Sequence, residues 1–512
     1  MSKIKNFITN HFNIFVFVMF AVVIFSLYGR TLFFNFSYYD DDVLILDRQD
    51  YLTFSNIGKI FSNTVFGEGR DQFCRPVLNL TFLIEKYLYG TKPFGYHLTN
   101  LLLHLFSVFS LFLFLTLRYD KKKTFILCLL FACHPAIVQA VAWIPGRNDS
   151  LLALFIILSC CFFVKYTENT KSGYLFGYLF CFVLALLTKE TAIVLPLFYF
   201  LFLLYKKKDV KQIIVNVTIL SLIILIYFFY RKYVLSGLYS ATFKEMFTNF
   251  YTALVPATSK YVANIFFPVK LSVFPALLKV NYLLCTASVL VFVLLFIKLK
   301  RYDLKIVLIG ICWFLFFLFP TYLMSNNYFF DHRIYVPLIG IMLVILEMIK
   351  NYNEIYSKKF IALLAFFFLM FSSVTLYYEQ KFQNKEFFWV NALTMSPESD
   401  LANAMVGQLF FERGLYKESE KYFLKAISIK PTNAIHYGNL SVVYAKIGDL
   451  DKAEEVLLKS LEYTKDNPNT YYNLALAYKY KGNKEKAREM KEKYIETFNR
   501  TNKVSKIVDI VL

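Results

Sequence analysis

Several familiar chemistries are missing from this sequence. No CxxC pair offers a zinc site, and no GxSxG elbow, HExxH pair, Walker loop or dinucleotide fingerprint marks a hydrolase, a metalloprotease or a nucleotide-binding fold. The eight cysteines make no disulfide framework. Cys128, Cys133, Cys160, Cys161, Cys181, Cys285 and Cys312 lie in apolar runs, where they act as small hydrophobes, and Cys74 stands alone in an expected loop. Acidic residues are scarce, 36 against 56 Lys and Arg, for a net charge of +20. That excess could suggest nucleic acid, but the lysines fall between apolar runs. Membrane topology therefore accounts for them, and no nucleic-acid partner is expected. Glycine is scarce too, 17 of 512 residues, and with many Lys and Asn this hints at an AT-rich bacterial genome.

What is present is grease. The chain is 57% hydrophobic and 19% aromatic, with a mean hydropathy of +0.48, which implies a polytopic membrane protein. Apolar runs alternate with basic patches up to about Tyr377, and beyond it charge becomes dense. The expected fold is all-α: a transmembrane helical bundle of about eleven spans, then an α-solenoid. The expected boundaries are a membrane domain at 1–377 with an outer segment at 30–96, a linker at 378–397, repeats at 398–500 and a tail at 501–512.

Lysines orient the spans. Lys3 and Lys5 precede Ile14–Tyr28, a retained anchor rather than a removed signal, so the N-terminus is expected inside. The next runs are His97–Leu117, Thr124–Ala142, Ser150–Val164, Tyr174–Leu187, Thr191–Tyr205 and Ile213–Tyr230. Tyr282–Ile297, Ile306–Leu323, Leu338–Ile349 and Phe360–Tyr377 follow, which leaves the C-terminus outside. Tyr251–Lys279, with Pro256, Pro268 and Pro275, reads as re-entrant or interfacial.

On this topology the ionisable motifs that are not lysine runs gather on the outer face. They are Asp40, Asp41 and Asp42 in "YYDDD", Arg147 in "WIPGRND", Lys189 and Glu190 in "TKE", and Asp331, His332 and Arg333 in "FDHRIYVP". Single charges near span ends often mark only the interface, but four such motifs on one face favour a site. A carboxylate there could take a proton from a hydroxyl, or help bind a divalent cation through hard oxygen ligands; no other cofactor is expected. Arg75, Arg147, Lys189, His332 and Arg333 could hold a phosphate. Such groups suit displacement of a phosphate leaving group by a hydroxyl. A transporter would place ionisable groups midway through broken helices. His104 and His134 do lie within spans, where histidine is more often a hydrogen-bonded packing residue than a ligand.

The charged C-terminal region repeats. Gly414, Gly448 and Gly482 are spaced by 34 residues, and Tyr437, Asn439, Leu440 and Tyr444 recur as Tyr471, Asn473, Leu474 and Tyr478. This is the tetratricopeptide helix-turn-helix pattern, with repeats at 398–431, 432–465 and 468–499. A groove for a peptide or protein is its expected use.

Together these blocks resemble the transmembrane and tetratricopeptide-repeat-containing O-mannosyltransferases and their bacterial relatives, within the GT-C glycosyltransferase superfamily. The match runs through "YYDDD", "RPVLNLTF" (Arg75–Phe82), "KPFGYHLTNLLLH" (Lys92–His104), "HPAIVQAVAWIPGRNDSLL" (His134–Leu152), "LLTKE" and "DHRIYVPLIG". The resemblance implies an extracytoplasmic enzyme that moves a sugar, with mannose expected, from a polyprenyl-phosphate-linked donor to a protein Ser/Thr hydroxyl, inverting the anomeric centre. It implies Asp40 as base, Asp41 as its orienting partner, and a phosphate clamp of Arg147, Lys189, His332 and Arg333. Asp42, Arg75, His97, His134, Glu190 and Asp331 would support them. Gln139 stands where relatives often carry a glutamate, and Asp331 replaces a usual glutamate. The expected partners are the lipid-linked donor, a protein or peptide acceptor and the bilayer. The expected location is the bacterial inner membrane with periplasmic repeats, or else the endoplasmic reticulum with lumenal ones. Transfer to a glycan or lipid, or a non-catalytic scaffold, are the alternatives.

Overall fold

A chain inside hydrocarbon must satisfy its backbone hydrogen bonds within each segment, so apolar runs become helices. The computed structural model describes residues 11–67, 73–235, 243–269, 271–275, 282–298, 302–323, 329–352, 356–465 and 467–501, and among them there is no β-strand. The chain divides into two compact units, Met1–Val273 with Leu278–Phe388, and Phe274–Leu277 with Trp389–Leu512.

The first unit begins with α1 (Phe12–Tyr28). The segment expected to be outside, carrying α2 (Ile57–Ser62) and α3 (Pro76–Tyr89), follows. Next come α4 (Pro93–Leu115), α5 (Lys121–Ala132), the short α6 (Val138–Ala142) and α7 (Arg147–Asn169). They lead to α8 (Ser172–Thr188), α9 (Leu195–Tyr205), α10 (Val210–Val234) and α11 (Phe243–Phe266). The unit closes with α12 (Tyr282–Lys298), α13 (Leu304–Tyr322), α14 (Tyr335–Ile349) and α15 (Lys358–Glu379). Each expected apolar run falls on these helices, Thr124–Ala142 on two of them. Among the described residues seven helices are long and apolar enough to cross a membrane, or eight with one bent pair, and three shorter apolar helices accompany them. The chain is thus a multi-pass membrane protein.

Two departures from the expected spans have local causes. Thr124–Ala142 is not straight: its two helical pieces meet at 55°. The residue before a proline avoids the helical region, and His134, ahead of Pro135, sits at φ −70°, ψ 122° with its ring nitrogen accepting the Ala136 N–H. The stretch 251–279, expected to be re-entrant or interfacial, includes the second part of α11, a helix that tolerates Pro256 in its interior and is not among the crossing candidates. Residues 276–280 fall outside the described chain.

Close packing fixes how these helices meet. Helices α13 and α14 cross at Gly310 and Gly340, where a Cβ on Gly310 would stand 2.6 Å from the Gly340 carbonyl oxygen. Small residues let helix backbones approach in this way. The outer segment has a core of its own, with Phe36, Leu44, Ile45, Leu52, Leu78, Phe82 and Tyr96 buried together. Prolines at the first positions of α3 and α4 suit those helix starts, since the missing N–H is unpaired there anyway.

The second unit holds three helix pairs: α17 (Asp400–Glu412) with α18 (Tyr416–Ile429), α19 (Ala434–Lys446) with α20 (Leu450–Tyr463), and α21 (Pro468–Tyr480) with α22 (Lys484–Thr501). The helix α16 (Lys385–Met395) precedes them. The expected linker at 378–397 is therefore largely helical, and most of the expected tail lies outside the described residues. Gly414, Gly448 and Gly482 turn each pair with φ of 74°, 85° and 78°, a conformation glycine adopts without a Cβ penalty. The repeat extends to polar contacts: Tyr444 donates to Glu420 at 2.7 Å, and one period on Tyr478 donates to Glu454 at 2.6 Å.

Candidate active site

The acidic stretch forms a tight turn. Tyr38 and Asp40 both take left-handed backbone angles, φ 54° and 67°, which an L-residue adopts at a cost of roughly 1–2 kcal/mol. Asp41 holds the turn. Its side chain is 1% exposed, and its carboxylate accepts the Ser37 N–H at 2.7 Å, the Tyr39 N–H at 2.9 Å and the Ser37 hydroxyl at 3.0 Å. Burial nevertheless raises the Asp41 pKa to about 7, outweighing the donors that favour its charge. Asp40 is half-buried and contributes its carbonyl to the Leu44 N–H at 2.8 Å. Asp42 opens a single π turn, Asp42–Leu46, a geometry often found at functional sites.

Tyr39 ties this turn to the membrane helices. Its ring stacks on Trp143 at 5.6 Å and on Phe330 at 6.1 Å, and the Trp143 indole donates to the Tyr39 carbonyl at 3.1 Å. Phe330 in turn stacks on His332 at 5.4 Å, and the Arg333 guanidinium lies 5.5 Å from the Phe330 ring centre. Arg333 is also within electrostatic reach of Tyr39 itself, Tyr261, Asp149 and Arg75. The turn bearing Asp40 and the "DHR" motif thus share one aromatic platform.

Beside the platform is a group of charges. Both Asp149 oxygens accept from Lys189 Nζ at 2.8 Å, and His332 Nε2 lies 3.8 Å from the same carboxylate. Arg75 holds Glu190 through two donors, at 2.8 and 3.3 Å. Arg231, at the end of α10, acts on Glu190 as well. Four cations, Arg75, Lys189, Arg231 and Arg333, therefore gather around two carboxylates, Asp149 and Glu190. A cluster of cations of this kind suits an anion.

The "DHR" motif is braced from α11. Asp331 pairs with Lys260 at 2.8 Å and accepts from Asn264 at 3.2 Å, while the Tyr261 hydroxyl donates to the Phe330 carbonyl at 2.9 Å. The shorter Asp331 side chain thus reaches its partners. Gln139 spans the gap between motifs, accepting the His332 N–H at 3.2 Å and donating to the Val273 carbonyl at 3.0 Å. A carboxylate at that position would lack the second donor.

Several expected site residues stand elsewhere. Arg147 is wholly buried, its guanidinium given to Glu85, to the Tyr96 carbonyl at 2.7 Å and to the Ile144 carbonyl at 3.3 Å. It pins residues 30–96 to α7, with its donors turned to Glu85 and these carbonyls. The buried His97 ring faces Phe34 edge-on and lies within electrostatic reach of Arg147, away from the charge group. His134 binds the Ile265 carbonyl at 3.0 Å and shapes its own turn. His104 is satisfied by the Tyr335 hydroxyl at 2.7 Å and the Ala132 carbonyl at 3.2 Å. Tyr39, Trp143 and Asp149 lie in the quoted motifs but were given no role of their own, although Asp149 had a signal as a carboxylate on an otherwise apolar helix; Arg231 and Lys260 are brought in by tertiary packing alone. A divalent cation fits poorly at Asp41, whose oxygens are taken by donors within the turn, and no group of three or more His, Cys, Asp or Glu among the described residues could hold one.

Parts of the chain are similar to known proteins. The protein O-mannosyl-transferase TMTC2 of Homo sapiens is 34% identical over 208 residues, 37% of this chain and 24% of that protein. TMTC3 of Homo sapiens is 31% identical over 152 residues, 29% of this chain and 16% of that protein. The chain thus spans about a quarter or less of the length of these curated relatives. A crystal structure of MamA aligns with 32% of this chain and 94% of its own at 19% identity and a TM-score of 0.22. Residues 76–231 match the family described as dolichyl-phosphate-mannose-protein mannosyltransferase, and 402–433 and 432–500 match tetratricopeptide repeats. The chain thus joins a membrane segment similar to the dolichyl-phosphate-mannose-protein mannosyltransferase family to a run of tetratricopeptide repeats.

Proposed function

We propose that the protein is a membrane glycosyltransferase that moves a sugar, mannose by analogy with its relatives' names, from a polyprenyl-phosphate-linked donor to a Ser or Thr hydroxyl of a protein. The observation that carries this reading is the Tyr39 platform, which puts an acid-bearing turn and a cation-rich group into one neighbourhood. Asp40 takes the proton of the acceptor hydroxyl. The hydroxyl oxygen attacks the anomeric carbon from the side opposite the phosphate, the bond to the phosphate oxygen breaks, and the electron pair leaves with the phosphate. Inversion follows. Arg333, Lys189 and Arg75 match the charge of the departing group, with His332 beside them; a preorganised set of donors stabilises such charge without reorganising. Asp41 orients the turn and thereby Asp40. The repeats hold the acceptor polypeptide. The lysine pattern supports placing the site on the extracytoplasmic face, in a bacterial inner membrane with the repeats periplasmic.

Asp40→Asn tests the reading. Asparagine also tolerates left-handed angles, so the turn is retained. Glycopeptide mass spectrometry should register a loss of transfer of roughly 10²–10⁴-fold, with thermal stability and repeat helicity unchanged. Transfer at the wild-type rate removes Asp40 as base.

A further inference from the structure

The mechanism leaves a cavity of about 210 Å³ among α5, α14 and α15 unused. Three helices run along it in consistent order. Lys123, Ile349 and Phe360 line one end, and His134, Leu338 and Phe371 the other. Aliphatic and aromatic side chains fill the length between. The polar groups at its two ends are already engaged: Lys123 Nζ donates to the Ile349 and Lys350 carbonyls at 3.0 and 2.7 Å, and His134 binds the Ile265 carbonyl. The interior therefore calls for hydrocarbon.

Two features identify which hydrocarbon. At 1.5 Å of rise per residue, Lys123 to His134 covers about 16 Å, close to half of a ~30 Å hydrocarbon core. The cavity thus has the depth of one leaflet. Its Lys123 end is also basic. The starts of α5 and α15 are tied together by Tyr356, which donates to Asp120 at 2.9 Å, and they carry Lys121, Lys122, Lys358 and Lys359, all exposed. Two described carboxylates nearby are occupied: Asp120 caps α5 at the Lys122 and Lys123 N–H groups, and Glu347 is held by Lys350 and Arg118. Basic pockets between membrane helices take anionic head groups.

We propose that this groove binds an anionic phospholipid, one acyl chain lying between α5, α14 and α15 and the phosphate among Lys121, Lys122, Lys358 and Lys359. The site is independent of the transfer reaction. An isoprenoid tail whose head group sat at the acidic turn would have to enter from the opposite, His134 end, where the described residues carry no such lysine cluster.

The test uses the full chain in detergent, supplemented in turn with dioleoyl phosphatidylglycerol, dioleoyl phosphatidylcholine or undecaprenyl phosphate, and reads retained lipid by native mass spectrometry. Phosphatidylglycerol should be retained and phosphatidylcholine should not. Changing Lys121, Lys122, Lys358 and Lys359 together to Gln should lower retention roughly tenfold or more, and Ile341→Phe, which fills the groove, should do the same. The lysines are exposed, so that variant keeps its fold even if the groove-filling one does not. Equal retention of both phospholipids, or retention that ignores the lysines, overturns the proposal. Displacement of phosphatidylglycerol by undecaprenyl phosphate assigns the groove to an isoprenoid and overturns it as well.

Discussion

The two units use opposite charges in opposite ways. In the membrane unit, ion pairs are sunk: Arg147 with Glu85 at 0% and 3% side-chain exposure, Lys189 with Asp149 at 8% and 4%, Lys260 with Asp331 at 11% and 0%. In the repeat unit several ride on helix surfaces, as with Arg488 and Glu492 at 83% and 67%. Burial makes the difference. Two charges out of water attract strongly, yet each costs several kcal/mol to desolvate, so such a pair fixes geometry more than it adds stability. A surface pair does little of either. The membrane unit therefore holds its site by charge, while the repeats hold their shape by apolar stacking and glycine turns.

The contrast can be pressed hardest at Arg147. Arg147→Met leaves Glu85 buried without its partner and should cost about 3–5 kcal/mol, read as a fall in melting temperature and as protease cutting within residues 30–96. Adding Glu85→Leu should recover much of that loss, because a matched apolar pair is often as stable as a buried salt bridge. If the double variant is as weak as the single one, Arg147 is valued for its carbonyl contacts instead.

A smaller effect concerns pH. Burial holds the Asp41 pKa near 7, above its unfolded value. The folded turn then keeps a proton that the unfolded chain has already released. Stability from this group is complete below the unfolded pKa and declines as pH rises through 7. Melts at pH 5 and pH 8 should differ in that direction, and Asp41→Asn should flatten the difference. A wild-type chain that is steadier at pH 8 would reverse the sign and show that the loop donors outweigh burial.

The smallest effect belongs to the repeats. Lys493→Ala, which removes a half-exposed partner of Glu489, should change stability by no more than about 0.5 kcal/mol in a denaturant titration. A loss several times larger would erase the distinction between the units.

Those same physical differences decide what could be read in advance. Helices were legible wherever one kind of residue persisted, because hydrocarbon and the 34-residue period each impose a pattern along the chain. The acidic turn and the "TKE" and "DHR" motifs were legible as charge in apolar surroundings. Their partners were not. Nothing near Lys260, Tyr261 or Asn264 announces a brace for Asp331, since α11 reaches that motif only through folding. Arg147 misled because its motif marks a site while its own side chain turns away toward Glu85. His134 and Pro135 carried a local signal, the pre-proline bend, that a hydropathy reading passes over.

The left-handed angles at Tyr38 and Asp40 have an evolutionary corollary. Glycine at either position would relieve the twist, so the turn could be made sturdier by giving up the groups it displays. Lineages that no longer use the carboxylate should drift toward glycine at these two codons first, which makes the pair a ready marker for telling working copies from relics.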